Sequence, residues 1–183
     1  MLPPPDSLQL EQRQQLLSYA RQVIAARLAG LAAPELPALH AAQRAGGAFV
    51  SLHIQGRLRG CIGMVESNLP LTATIARCAL GAALEDRRFA PVVHADLERV
   101  AIEISLLSPM SPATAEQVDP GRHGLLIRSG YHSGLLLPQV AVKYKWSRER
   151  FLQETCGKAG LPPDSWKNPE TRIFTFTAEV FSE

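Results

Sequence analysis

Cysteine is scarce in this chain. Only Cys61, Cys78 and Cys156 occur among 183 residues, with no Cys-x-x-Cys pair. An odd and widely spaced set reads against both a disulfide framework and a cysteine zinc site and points to a reducing compartment. Long apolar runs are also missing. Nowhere do about 18 apolar residues follow one another, and the Pro-rich, then Gln-rich opening lacks the basic start and apolar stretch of a secretory signal. The expectation is a cytoplasmic protein with no membrane span. Charge of one sign is lacking too, since 19 Lys and Arg against 17 Asp and Glu leave +2. That is far from the dense positive field of a chain that neutralises many phosphates, so composition does not nominate nucleic acid. His53, His94 and His132 show no spacing that suggests metal binding, and neither a metal nor a cofactor is expected.

What is present is ordinary for a globular protein: 46% apolar and 20% charged residues. A chain of this length is most economically a single domain over 1–183, with two lobes, and folding should bury about 70% of the surface the unfolded chain exposes. Within 7–29, Leu16, Leu17, Ala20, Val23, Ile24 and Leu28 recur at the helical period, with Gly30 as C-cap; this makes 1–30 an N-terminal helical segment ahead of a body over 48–183. The stretch 31–47 reads as a connection with a helical turn around Leu39 to Arg44. Ala48 to Ile54 alternates, Gln55-Gly56 turns, and a second arm runs through Met64, which together read as a hairpin. Asn68 is placed to cap a helix starting near Pro70, with Leu71, Ile75, Cys78, Ala79 and Ala82 as its stripe. Val100 to Leu107 is the clearest strand, and Ser108 to Gly121 reads as a long loop.

Further on, Leu125–Arg128 and Gly134–Leu137 read as short strands around Ser129-Gly130, and Pro138 opens a helix through Tyr144. Ser147 caps another helix carrying Phe151, Leu152, Thr155, Cys156 and Ala159, and one last strand runs from Arg172 to Phe181. Helices are interleaved with cleanly alternating strands joined by short turns. The expected class is therefore α+β, a largely antiparallel sheet flanked by helices.

At Leu58-Arg59-Gly60-Cys61-Ile62-Gly63 the sequence resembles the AMMECR domain family, whose prokaryotic members are called AmmeMemoRadiSam system protein A. The resemblance continues at Asp86-Arg87-Arg88-Phe89-Ala90-Pro91, Ile102-Glu103-Ile104-Ser105, Gly121-Arg122-His123-Gly124-Leu125 and Leu135-Leu136-Leu137-Pro138-Gln139-Val140. It extends through Cys156-Gly157-Lys158-Ala159-Gly160-Leu161 to Ala178-Glu179-Val180-Phe181-Ser182-Glu183, in that order along the chain. Arg87 stands where relatives often have proline, and Gly157 where many have a bulkier residue. The resemblance implies an α+β, two-lobed fold with a mainly antiparallel sheet, and it brings no established activity. The family name implies association with a Memo-like protein and a radical-SAM protein, and a regulatory role in transcription or translation has been proposed for the family.

Two functional readings follow. In the first, the chain is a binding or accessory module whose polar cleft, formed by Arg59, Gly60, Asp86, Arg88, Glu103, Gln139 and Lys158, meets a partner or a small anionic ligand, with Arg59 or Arg88 as a bidentate grip. In the second, it is an enzyme with Cys61 as nucleophile and His123 as general base, acting on a small electrophilic substrate. The second gains if Arg57 and Arg59 lie beside the thiol, which strand parity allows only where the neighbouring glycines introduce no bulge. Each residue also has a plainer reading. Cys61 can be a small core residue, His123 a turn histidine, Asp86 and Arg88 a structural ion pair, and Lys158 a cation suited to the end of its helix. A nucleic-acid-binding regulator is a third reading, supported only by local basic clusters such as Arg87-Arg88 and Lys143 to Arg150.

Overall fold

The computed structural model describes residues 8–35 and 47–183. The helical turn expected around Leu39 to Arg44 lies outside them. The described residues divide into two compact units, one formed by those up to Leu107 together with Glu179–Glu183, the other by Ser108–Ala178.

In the first unit, helix α1 (Leu10–Leu28) turns Leu16, Leu17, Ala20, Val23 and Ile24 inward. Strands β1 (Ala48–Ile54) and β2 (Arg57–Met64) form the expected hairpin. Gln55 and Gly56, at φ 51° and 73°, both take the left-handed conformation that a two-residue type I′ turn requires. Helix α2 (Leu71–Leu84), β3 (Val100–Leu107) and β8 (Ala178–Ser182) complete the unit, whose sheet runs β2-β1-β3-β8. β1 is antiparallel to both neighbours. Its even-numbered residues Val50 and Leu52 are fully buried and join Ile75, Cys78, Ala79, Ile102 and Ile104 in one core against which both helices pack. The odd-numbered Phe49, Ser51 and His53 stay half-buried on the other face.

Two local expectations change here. Asn68 does not cap α2. The N-cap position is Pro70, and Ser67 closes the approach instead, its hydroxyl accepting from Leu69 N–H at 3.1 Å and pairing with Thr74 Oγ1 at 2.8 Å. The hairpin also slips by one residue. Leu52 faces Gly60 but His53 faces Leu58, so Arg59 is the extra residue of a bulge and Arg57 pairs with Ile54 on the core-side parity. Arg57 therefore does not share a face with Cys61.

The second unit carries a sheet in the order β4-β7-β5-β6, from β4 (Ser111–Ala113), β5 (Gly124–Ser129), β6 (His132–Leu136) and β7 (Arg172–Phe176), with every neighbouring pair antiparallel. α3 (Pro138–Lys143) and α4 (Arg148–Lys158) pack on it, and the Ser147 hydroxyl accepts from Arg150 N–H at 3.2 Å as expected of a cap. Leu125, Ile127, Phe151, Leu152 and Cys156 form this unit's own core. The expected long loop after Ser108 holds strand β4 and a 3-10 turn at Ala115–Gln117. The expected final strand over 172–181 is two strands in different sheets. It breaks at Thr177, whose carbonyl accepts from Ser108 N–H and whose N–H donates to Ser108 Oγ, both at 2.9 Å. The same residue alternation serves both halves, so the pattern hides the crossing from one sheet to the other.

Candidate functional site

The glycines of the Arg59-Gly60-Cys61-Ile62-Gly63 stretch are explained by close approach. A Cβ on Gly60 would lie 2.0 Å from the Ala82 carbonyl oxygen of α2, and one on Gly63 would lie 2.1 Å from the Phe49 ring. Both positions need hydrogen in place of a side chain. This tight seating of α2 on β2 brings the chain just past α2 up to the strand's open edge.

There Asp86, with its side chain only 5% exposed, accepts the Cys61 N–H at 2.9 Å on Oδ2. Arg88 closes on the same carboxylate, Nε to Oδ1 at 2.9 Å and Nη2 to Oδ2 at 2.7 Å, while its backbone N–H donates to Oδ1 at 3.2 Å. Nη2 also donates to the Cys61 carbonyl at 3.2 Å. β2 is the last strand of its sheet, so the outward N–H and C=O of Cys61 would otherwise be unpaired. Asp86 and Arg88 satisfy them with side chains, as a neighbouring strand would with backbone. The Arg88 guanidinium holds the Asp86 carboxyl well below the usual carboxylate range, outweighing the opposing effect of burial, with the Cys61 and Arg88 N–H groups adding to it.

Arg88 is tied down yet its side chain remains 60% exposed, and its ring-facing side lies 5.3 Å from the Phe89 centroid. Among the described residues its Nη1 has no protein acceptor, which leaves donors for a ligand. Arg59 is spent differently. It donates through Nη1 to the Ala90 carbonyl and through Nη2 to that of Pro91 at 3.2 Å, with Asp96 3.7 Å away. It fastens the segment after Arg88.

Cys61 is half-buried, and its sulfur receives the Ser51 hydroxyl at 3.2 Å. Register extends this contact into a row: Cys61 faces Ser51 and Ser51 faces Glu103, all half-buried on the side of the sheet away from its core, with His53 two residues along β1. Sequence reading missed Ser51. The only signal for it is the pairing register, which becomes visible once the bulge is located.

The first unit thus brings together Gly60, Cys61, Asp86 and Arg88, with Arg59 at the adjoining segment and Glu103 two strands over. His123, Gln139 and Lys158 belong to the second unit. His123 Nδ1 accepts the Asp119 N–H at 3.1 Å, an arrangement that places the proton of a neutral ring on Nε2 and suits a turn histidine better than a base. Gln139 is exposed in the first turn of α3, and Lys158 is exposed in the last turn of α4. Cys78 and Cys156 are fully buried, and burial raises both thiols, Cys78 to about 11.

Among the described residues no group of three or more His, Cys, Asp and Glu is arranged to hold a metal ion, and no helix is long and apolar enough to cross a membrane. A shallow concavity of about 440 Å³ lies along α1, lined by Glu11, Gln15, Tyr19 and Glu35 among others, and includes none of the residues described above.

Comparison with known proteins agrees on one family. The sequence profile of the AMMECR1 family matches residues 17–181. A protein of Thermococcus gammatolerans is 43% identical over 148 residues, covering 75% of this chain and 72% of its own, and one of Methanothermobacter thermautotrophicus is 41% identical over 179 residues, covering 92% of each. The crystal structure of an uncharacterised Pyrococcus horikoshii protein superposes with a TM-score of 0.89 at 35% identity, over 96% of this chain and 93% of that one. The glycine-spaced edge strand with its Asp86–Arg88 clasp therefore sits in a fold that the Pyrococcus horikoshii structure shares over 93% of its length, and the chain belongs to the AMMECR1 family.

Proposed function

We propose that this protein is a cytoplasmic accessory module that recognises an anionic group through Arg88 at the β2 edge, and that its partners are the Memo-like and radical-SAM proteins implied by the resemblance. The observation that carries this reading is an arginine held in two directions, by Asp86 and by the Cys61 carbonyl, while remaining 60% exposed. A guanidinium fixed in this way has already lost much of the side-chain freedom that binding would otherwise cost, and the two hydrogens left on Nη1 can donate to an oxygen of a carboxylate or phosphate. Catalysis by Cys61 has less support, because among the described residues the thiol touches a serine hydroxyl and no base.

The test is calorimetric titration of the purified chain with each partner. Wild type should bind at micromolar concentration or better, and Arg88→Lys, which keeps the charge but loses the two-point hold on Asp86 that fixes it, should weaken binding about tenfold, or about 1.4 kcal/mol. Arg88→Ala should weaken it further, with folding checked by circular dichroism. Indifference of both partners to well-folded wild-type protein would refute the proposal.

A further inference from the structure

The second unit carries an aromatic and cationic surface that the edge-strand site does not use. Helix α3 is short and ends in a closed turn: Trp146 N–H donates to the Ala141 carbonyl at 2.9 Å and Lys145 N–H to that of Val142 at 3.1 Å. This pairing is the Schellman closure, and it needs a left-handed residue after the C-cap, where glycine is the usual occupant. Here the residue is Lys145, at φ 52°. A side chain is kept where backbone sterics disfavour one, and that side chain carries a cation.

The turn lays Tyr144 against Trp146, with ring centroids 5.1 Å apart and planes 19° from parallel. Trp146 in turn meets Phe151, a buried core residue, at 6.4 Å. The stack is therefore anchored in the core and ends outside on Tyr144, which is 57% exposed beside Val142 at 61%. Lys143 and Lys145 precede and follow the tyrosine and are both exposed, the Lys143 ammonium lying over its ring, 5.6 Å from the centroid. Arg148 and Arg150 follow on the first turn of α4, also exposed.

We infer that Tyr144, stacked on Trp146 and flanked by Lys143 and Lys145, is a docking surface for single-stranded nucleic acid. A core-anchored stack ending in an exposed ring extends by one more flat ring when the flexible Lys143 side chain swings from over the tyrosine to a neighbouring phosphate, and Lys145 suits the phosphate on the other side of the base. An acidic peptide would satisfy the lysines but would leave the stack unextended. The chain-wide charge of +2 is consistent with a small site of few phosphates and modest affinity.

The probe is a fluorescein-labelled oligouridylate of about 12 nucleotides, titrated against the full chain in low salt and read by anisotropy. A Kd between about 10⁻⁶ and 10⁻⁴ M is expected, with a log–log salt slope near −1.4 if two phosphates are neutralised on a single strand. Tyr144→Ala should weaken binding by roughly 5- to 150-fold, while Tyr144→Trp, which preserves the stack, should restore it. Lys145→Gly gives a readout that a purely structural role would not produce. It should raise the melting temperature by relieving the left-handed strain, yet weaken binding and reduce the salt slope by about 0.7. No binding up to about 10⁻³ M protein, or full affinity in folded Tyr144→Ala or Lys145→Gly, would overturn the inference. Competition by polyglutamate as effective as by unlabelled oligouridylate would likewise overturn it, in favour of an acidic protein partner.

Discussion

At Asp86 a single carboxylate is the common acceptor for Cys61, Arg88 and the turn after α2, and that concentration makes it the residue whose loss should be felt most. Asp86→Asn keeps the shape but removes the charge, and it should cost on the order of 1.5–3 kcal/mol, the worth of hydrogen bonds to an ionised group. The loss should stay below that of a fully enclosed ion pair because Arg88 keeps its access to water. The direction with pH follows from the depressed pKa. The stabilisation is fully present above the unfolded carboxyl value of about 3.9 and fades as pH falls below it toward the lower folded value. Urea unfolding followed from neutral pH into that acid range should show wild type losing stability and Asp86→Asn changing less. Cys61 offers a second measurement. It is half-exposed, whereas burial raises the Cys78 and Cys156 thiols, so iodoacetamide should modify Cys61 first in folded protein. Cys61→Ser should cost less than about 1 kcal/mol, as expected of a site that is not sealed in the core. Protection of Cys61 equal to that of the other two thiols would return it to the role of a packing residue.

Elements meet most tightly where α2 lies on β2. Gly60 faces the Ala82 backbone and Gly81 faces the Ile62 side chain, so each element supplies a glycine at the contact with the other. Gly60→Ala should cost about 3 kcal/mol, near the upper end for overpacking, because its Cβ meets a carbonyl oxygen that cannot turn aside. Gly56→Ala is the contrast. Its Cβ meets nothing within 4 Å, and only the φ of 73° resists it, so a loss of roughly 1–2 kcal/mol is expected. Thermal unfolding of the two variants separates steric displacement of a helix from local backbone strain. Gly60→Ala should also disturb the Asp86 clasp, visible as faster amide exchange at Cys61.

At the scale of the molecule, the first unit is discontinuous in sequence. Its sheet takes a strand from the far end of the chain, and Glu183 holds that strand by accepting from Ile102 N–H at 3.0 Å and pairing with Arg21 of α1. Arg21 also donates to the Leu97 and Val100 carbonyls, at 2.6 and 2.5 Å. Glu179 pairs with Arg13 at 2.9 Å and accepts the Leu8 N–H. The chain thus leaves the first unit at Leu107, builds the second over Ser108–Ala178, and returns to complete the first. This places the edge-strand site and the Tyr144 surface on separately cored units.

The sequence by itself determined the class of the fold, most elements and the family, because alternation in β1 and β3 and the helical stripes of α1, α2 and α4 are local patterns that burial imposes directly. It also marked Gly60, Cys61, Asp86 and Arg88, through motifs 25 residues or so apart, without showing that they touch. Only the tertiary structure decided that Arg59 falls in a bulge and turns to the Ala90 and Pro91 carbonyls, that Ser51 is the partner of Cys61, and that the strand after Arg172 divides between two sheets. The physical reason is shared. Side-chain periodicity records which residues face a core, but it is blind to register, and a one-residue slip or a change of sheet leaves the alternation intact while altering every partner.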